Sequence, residues 1–347
     1  MNLSKRYYYY ILLLLTLFSL VDCSSDDKSA SEELTMPIDT LTLDIIPTTP
    51  ETRKQLTADD IIIDKQLLYD QYTLSDEYPY KDTVRLFQWD KIRETLAKLE
   101  NHQPQPQFWG IVQNRKNKNG EAPLIRDIKR NKYKNIIDAY GVERYQGIPL
   151  FASKDSLAPE RYARDGELVR IINTHETDSN RLIQLESVYR GGEWFVPHKY
   201  VKLIDILQYA KVVFVDRANQ NIAALEKVGE VWLVRSMNPA TTGQQRPPYQ
   251  QETPLGIFVM AEKKEKMYYY KDGTTEIGGF SPYASRFCNG AYIHGVPVNK
   301  PGTNIIEYSA SLGTTPRSHM CVRNASSHAK FIYDWGLINE TLVVVIE

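Results

Sequence analysis

The chain is 347 residues long, 42% hydrophobic and 24% charged; that is enough for a packed core and two or three ordinary domains, and it excludes wholesale disorder. Lysine and arginine number 42 against 43 acids, so there is no basic excess to displace counterions and no support for nucleic-acid binding. The 23 tyrosines suit short half-buried strands and surfaces that face carbohydrate or peptide.

In chain order, the first signal is the basic pair Lys5 and Arg6, followed by an apolar run from Tyr7 to Leu20 that ends in Leu20-Val21-Asp22-Cys23. The run is short for a bilayer span and has the proportions of a signal peptide. With Cys23 at its end and Ser24-Ser25-Asp26-Asp27-Lys28 behind it, the segment resembles a bacterial lipoprotein signal, although Asp22 stands where a small residue is usual. That resemblance implies a signal peptide over 1–22, a lipid on Cys23, and a membrane-anchored protein in the cell envelope that faces the periplasm. An ordinary signal peptide with an incidental cysteine is the alternative. Residues 23–51 are rich in Ser, Thr, Asp and Pro and read as a tether.

Residues 52–142 give mixed signals and no assignable role. Trp89, Ile92, Leu96 and Leu99 fall at helical spacing over Trp89–Leu99. Phe108–Val112 and Ala122–Ile125 read as short strands around the turn-forming Lys118-Asn119-Gly120. Over residues 143–205 the strand-like runs are Ile148–Phe151, Glu167–Ile172 and Arg181–Val188. They are followed by Gly191-Gly192-Glu193-Trp194-Phe195-Val196-Pro197 and Tyr200-Val201-Lys202-Leu203. Short strands with Gly-rich turns suit a small barrel, and the closing pattern resembles a bacterial SH3-like barrel. Such a barrel would serve as a ligand groove or as a spacer that orients the next domain.

Residues 211–347 read as mainly β: Lys211–Asp216, Gly229–Ser236, Gly256–Lys263, Lys266–Lys271, Gly290–His294 and Leu342–Ile346 are strand candidates. One helix interrupts them, with Asn324 as N-cap, Ala325–Trp335 as body and Gly336 as stop. A β-sandwich or barrel-like domain with one packed helix is expected.

Chemistry concentrates in Ser318-His319-Met320-Cys321-Val322-Arg323-Asn324 and, upstream, Ile293-His294-Gly295. A cysteine just before a helix N-terminus would have its thiol pKa lowered by unpaired N–H groups and the macrodipole. His294 and His319 are candidates for the base that takes its proton. Two other arrangements compete. The chain has three cysteines, so Cys288 and Cys321 could pair as a disulfide once Cys23 is lipidated. Zinc held by His294, His319, Cys321 and His328 is the other, with poor ligand spacing.

His294-Gly295 followed by Ser318-His319-x-Cys321-x-Arg323 resembles the signature of the L,D-transpeptidase (YkuD-type) catalytic domain. Thr253-Pro254-Leu255-Gly256-Ile257-Phe258 is similar to that family's Thr-Pro-x-Gly-x-Phe landmark, Val212–Asp216 with Asn219–Glu226 to its opening hairpin, and Ala329–Trp335 to its helix after the cysteine. The resemblance covers about 211–347 and implies a β-sandwich with one packed helix, after the small SH3-like barrel. It also implies that Cys321 is the nucleophile, His294 the base, and the Gly295 carbonyl the group that orients it. The N–H groups of Met320 and Cys321 would form the oxyanion hole, and Ser318, His319 and Arg323 would shape the pocket. Peptidoglycan stem peptides are the implied partners, with no metal or organic cofactor. The implied reaction is a cysteine thioester transferred to an amine as a 3→3 cross-link. A carboxypeptidase on the same site and a non-catalytic wall-binding protein are the alternatives. Met320 replaces the family's glycine, whose backbone freedom a side chain resists. His294 and Ser318 are also more widely spaced than is usual, which implies a longer loop around Asn299–Ser309.

Overall fold

The structure is a computed structural model that describes residues 54–102, 108–120, 129–130, 136–139, 141, 147–173, 182–204 and 209–347. The signal-like segment with Cys23, the tether and the strand candidate Ala122–Ile125 lie outside the described residues.

The first described stretch holds β1 (Ile62–Lys65), the hairpin β2 (Glu77–Tyr80) and β3 (Thr83–Leu86), and α1 (Trp89–His102). The helix starts where the apolar spacing predicts and runs three residues further. Ile92, Leu96 and Leu99 form its buried stripe. Glu100, one position on, is buried too, and its carboxylate accepts a hydrogen bond from Trp232 Nε1 at 2.6 Å and pairs with Lys227. Both partners belong to the C-terminal domain. Residues 61–102 are therefore part of that domain's packing.

Next come β4 (Phe108–Val112), β5 (Lys129–Arg130), β6 (Ile136–Ile137), β7 (Gly147–Leu150), β8 (Arg161–Arg164), β9 (Leu168–Asn173), β10 (Leu182–Ser187), β11 (Glu193–Pro197) and β12 (Val201–Ile204). Five of them form an antiparallel sheet in the order β11-β10-β9-β4-β12. Its core contains Ile148, Leu150, Leu185, Trp194, Val196 and Tyr200. The expected strands of 143–205 are present. However, β4 lies between β9 and β12, so the module recruits a strand from 108–112 that a reading of consecutive strands assigns elsewhere.

The remainder holds β13 (Lys211–Asp216), β14 (Asn221–Val228), β15 (Val231–Pro239), β16 (Gly256–Val259), β17 (Glu262–Tyr270), β18 (Ile277–Cys288), β19 (Ala291–His294), β20 (Val298–Asn299), β21 (Val322–Arg323), α2 (Ser326–Trp335) and β22 (Thr341–Ile346). One sheet has the order β1-β15-β14-β13-β22-β16, and the other runs β17-β18-β19-β21 with β20 beside β18. Between them, Val213, Val215, Phe258, Phe287, Ile293 and Val343 form one core, to which α2 adds Ile332. On the far side of the first sheet, Val212, Phe214, Val344 and Trp232 pack with Ile92 and Leu96 of α1. A sheet buried on both faces explains the unbroken apolar runs Val212–Val215 and Leu342–Ile346. The domain is thus the expected β-sandwich with a packed helix, and α1 covers its outer face.

Two strand expectations need correction. Gly256–Lys263 is not one strand: Met260 donates to Thr341 in the first sheet and Ala261 to Arg286 in the second, so the chain changes sheets there. The long β18 was not anticipated, because Gly278, Gly279 and Pro282 break its alternation.

Candidate active site

β19 and β21 pair in parallel, Ile293 with Val322 and His294 with Arg323. Side chains alternate along strands, so Ile293 and Val322 enter the sandwich core, and Tyr292, His294, Cys321 and Arg323 share the opposite face. Cys321 packs there against Tyr292 and Ala284. The two cysteines among the described residues are free: Cys288 lies in the sandwich core and Cys321 on the other face, which overturns the disulfide alternative.

His294 is 3% exposed. Its Nδ1 lies 2.6 Å from the Gly295 carbonyl, which assigns the proton to Nδ1 and leaves the Nε2 lone pair free. The site's glycine is needed for close approach: a Cβ on Gly295 would come within 2.5 Å of Ser326 Oγ and 2.8 Å of Pro282 Cγ. Burial, reinforced by the nearby Arg323 charge and opposed by the Gly295 bond, pushes the His294 pKa down to about 4. The imidazole is neutral at pH 7.

Cys321 is 9% exposed, with Sγ 3.6 Å from the Gly290 carbonyl. Its position differs from expectation. The helix begins at Ser326 with Ala325 as N-cap, so Cys321 is too far upstream to feel the helix N-terminus, a field that fades within one turn. Burial pushes the thiol pKa up, opposed by the Tyr292 backbone and the Arg323 charge. The resting pair is thus a thiol beside a neutral imidazole. Asn324 is no cap either; its amide reaches Val322 O and His328 Nδ1. The helix start is held by Glu307 from the loop after β20: the Ser326 N–H donates to the Glu307 carbonyl at 2.8 Å, and the Ser327 N–H to its carboxylate at 3.1 Å. An acid at a helix N-terminus is favoured by the dipole, and this gives the extra residues around Asn299–Ser309 a structural role.

The loop that carries Cys321 is tied down at several points. The buried Ser318 hydroxyl donates to the Cys321 carbonyl, the Ser318 N–H donates to Thr242 O at 3.1 Å, and the Gln244 N–H donates to Ser318 O at 3.1 Å. Thr253 Oγ1 accepts from the Gly243 N–H and donates to the Met320 carbonyl, each at 2.8 Å. Sequence reasoning gave Thr253 no role at the site, although its Thr-Pro landmark was visible. Because a trans peptide is planar, anchoring the Met320 carbonyl to Thr253 aims the Cys321 N–H the opposite way.

Met320 has φ +103°, a region that side chains avoid. This is backbone that glycine adopts without cost, and Thr253 holds Met320 in it through the carbonyl. Its side chain packs partly on the sandwich core. Met320→Ala loses that packing and keeps the strain, whereas Met320→Gly loses the packing and relieves the strain, worth about 1–3 kcal/mol. Chemical denaturation is therefore expected to rank Met320→Ala as clearly less stable than Met320→Gly; the reverse order would contradict a strained Met320.

His319 projects outward, its Nε2 2.8 Å and 3.0 Å from the two Asp272 oxygens, so it links the loop to the tip of the β17–β18 hairpin. The Arg323 backbone is paired with Thr241, N–H to carbonyl in both directions. Its buried Nε has no partner among the described residues. His328 is fully buried, with Nε2 3.0 Å from Ser236 Oγ. Among the described residues no three His, Cys, Asp or Glu side chains converge as a metal site; of the four candidate zinc ligands, His294 and Cys321 share a face, whereas His319 is turned to Asp272 and His328 to Ser236.

Residues 210–345 match the family model of the YkuD L,D-transpeptidase catalytic domain. Similar solved structures include an L,D-transpeptidase from Mycobacterium smegmatis, 18% identical with TM-score 0.33 over 52% of this chain and 82% of that one. L,D-transpeptidase 3 from Mycobacterium tuberculosis in complex with a faropenem-derived adduct is 17% identical, with TM-score 0.33 over 53% and 93%. A fused Zn-dependent amidase/peptidase/peptidoglycan-binding domain-containing protein from Clostridium acetobutylicum is 19% identical, with TM-score 0.28; the match spans 40% of this chain and about half, 52%, of that protein. No curated protein matches the chain.

Proposed function

We propose that the chain is a peptidoglycan L,D-transpeptidase in which Cys321 attacks the carbonyl of the third residue of a tetrapeptide stem. The observation that carries the reading is the parallel β19–β21 pairing: it sets a neutral His294, its Nδ1 committed to the Gly295 carbonyl, on the same face as the Cys321 thiol. His294 Nε2 takes the thiol proton as the sulfur attacks, and the Arg323 charge favours the thiolate that forms. The N–H groups of Met320 and Cys321 stabilise the oxyanion. The imidazolium then protonates the departing D-alanine and leaves a thioester. An amine from a second stem resolves it as a 3→3 cross-link, whereas water gives the tripeptide. Ser318 holds the loop in shape, and His319 and Arg323 border the donor site.

The test is incubation of the soluble protein with purified disaccharide-tetrapeptides followed by mass spectrometry. A cross-linked dimer is expected. Tripeptide alone would make the protein a carboxypeptidase, and the absence of any product would favour the wall-binding alternative.

The module β4–β12 is read as an SH3-like barrel, on the strength of its Gly191–Pro197 and Tyr200–Leu203 patterns. Lipid on Cys23 would anchor the protein in the envelope, facing the periplasm. Cys23→Ala is then expected to release the protein from the membrane fraction or block its maturation; unchanged membrane association and mass would refute the anchor.

A further inference from the structure

Tyr292 lies two residues before His294, and its ring packs against Cys321. The far end of that ring is held by a residue outside the catalytic domain. Arg115, in the turn after β4, donates from Nη2 to Tyr292 Oη at 2.9 Å and from Nη1 to Glu262 at 2.6 Å. Tyr292 Oη in turn donates to the same Glu262 oxygen at 2.9 Å, and Arg286 Nε reaches that oxygen at 3.1 Å. Although burial opposes it, the bonds from Tyr292, Lys264 and Arg115 hold the Glu262 carboxyl at about 2, so the cluster stays charged at any working pH.

Arg115 is itself fixed from behind. Asp165 Oδ1 accepts the N–H groups of Asn114 and Arg115, both at 2.9 Å, and its other oxygen pairs with Arg286 at 2.7 Å. Beside it Gly166, at φ +91°, lies so close to β18 that a Cβ would sit 1.9 Å from the Phe287 carbonyl oxygen. The Val259 N–H donates to the Gly166 carbonyl at 2.9 Å. The β4–β12 module is thus docked on the strand pair that presents Tyr292 and His294, and it sends one guanidinium to the ring that walls the thiol.

We propose that Arg115 is a positioning residue for acyl transfer at Cys321, acting through Tyr292 and Glu262. The preceding module is then part of the site's architecture and not only a spacer. The inference rests on Cys321 as the nucleophile. Freed from Arg115, the Tyr292 ring and the backbone that supports the thiolate shift together, and displacements of this kind reduce rate more than binding.

The test uses the soluble, otherwise intact chain and compares Arg115→Met, Tyr292→Phe and the double variant, with Arg115→Lys as the conservative exchange. Tyr292→Phe keeps the ring and removes only the hydroxyl, so it reports the linkage without a cavity. Each single variant is expected to lower kcat on tetrapeptide by on the order of tenfold, with KM within about twofold. Each is also expected to raise the pH midpoint for iodoacetamide alkylation of Cys321. The double variant should be no worse than the worse single one, because both act on one linkage, and Arg115→Lys should recover part of the rate. Variants that lower Tm but leave kcat and the alkylation midpoint at wild-type values would overturn the proposal, as would additive effects in the double variant. Alkylation reads Cys321 whether or not stem peptides are substrates. A wild type that turns over no tetrapeptide would therefore refute the proposed function, while the alkylation midpoints would still decide the role of Arg115.

Discussion

His294→Ala is expected to lower turnover of tetrapeptide by on the order of 10²–10⁴-fold, the usual contribution of a positioned general base, and to do so without unfolding the chain. The reason lies in the protonation states of the site. With the thiol pKa raised by burial and the imidazole held at about 4, the proposed attack by Cys321 requires His294 to accept its proton. Because kcat/KM reports the free enzyme, the wild-type rate should fall on the acid side with a midpoint near 4, as His294 becomes protonated. That limb should be absent from whatever rate remains in His294→Ala. His319→Ala should cost less, since its ring is turned to Asp272 at the surface. Circular dichroism separates lost chemistry from lost fold. A larger defect in His319→Ala than in His294→Ala would show that the base has been misassigned.

The second large effect is on stability in acid. Burial holds His294 at about 4 and His328 at about 3, both below their ordinary 6.5. Between those values and 6.5 the unfolded chain binds protons that the folded chain refuses. The stability associated with the neutral rings is therefore complete above pH 6.5 and is lost as pH falls through 4 and then 3. Two shifts of this size amount to several kcal/mol, on the order of 1.4 kcal/mol for each pH unit of displacement. Glu262 also weakens the fold in acid, but in a lower window: its carboxyl is at about 2 against an ordinary 4.5, so its contribution is lost only as pH falls from 4.5 through 2. Urea unfolding at pH 7 and pH 4 should show a wide stability gap in the wild type and a narrower one in His328→Gln. An equal gap in both proteins would contradict a neutral buried His328.

The contrast between what the sequence reveals and what it hides follows from the range of the interactions. His294-Gly295, Ser318–Arg323 and the Thr253–Phe258 stretch were legible because each keeps its chemistry within a few neighbouring residues. The apolar runs of β13 and β22 and the stripe of α1 were legible because periodicity records burial. What could not be read depends on contacts between residues far apart in the chain. β1 joins the catalytic sheet through a parallel register with β15, Ile62 opposite Val231, and β4 enters its sheet beside strands at least 55 residues away. Glu307 takes over the helix cap that the local Asn324 signal promised, because a loop from elsewhere reaches the same N–H groups. The expectation of a helix-activated thiol failed with it: the short β21 intervenes between Cys321 and the helix, and burial then dominates the thiol's environment. Arg115, in a region without assignable function, carried no local signal at all.

Whether Cys321 forms an acyl-enzyme with a stem peptide is tested most directly by trapping that intermediate. The soluble protein is mixed with disaccharide-tetrapeptide, quenched in acid to preserve a thioester, digested and mapped by peptide mass spectrometry. The expected result is an adduct on Cys321 with the mass of the donor less its terminal D-alanine, absent from Cys321→Ser and reduced in His294→Ala, with the buried Cys288 unmodified. A protein that consumes tetrapeptide without any adduct on Cys321, or one whose Cys321→Ser variant turns over at the wild-type rate, would contradict it.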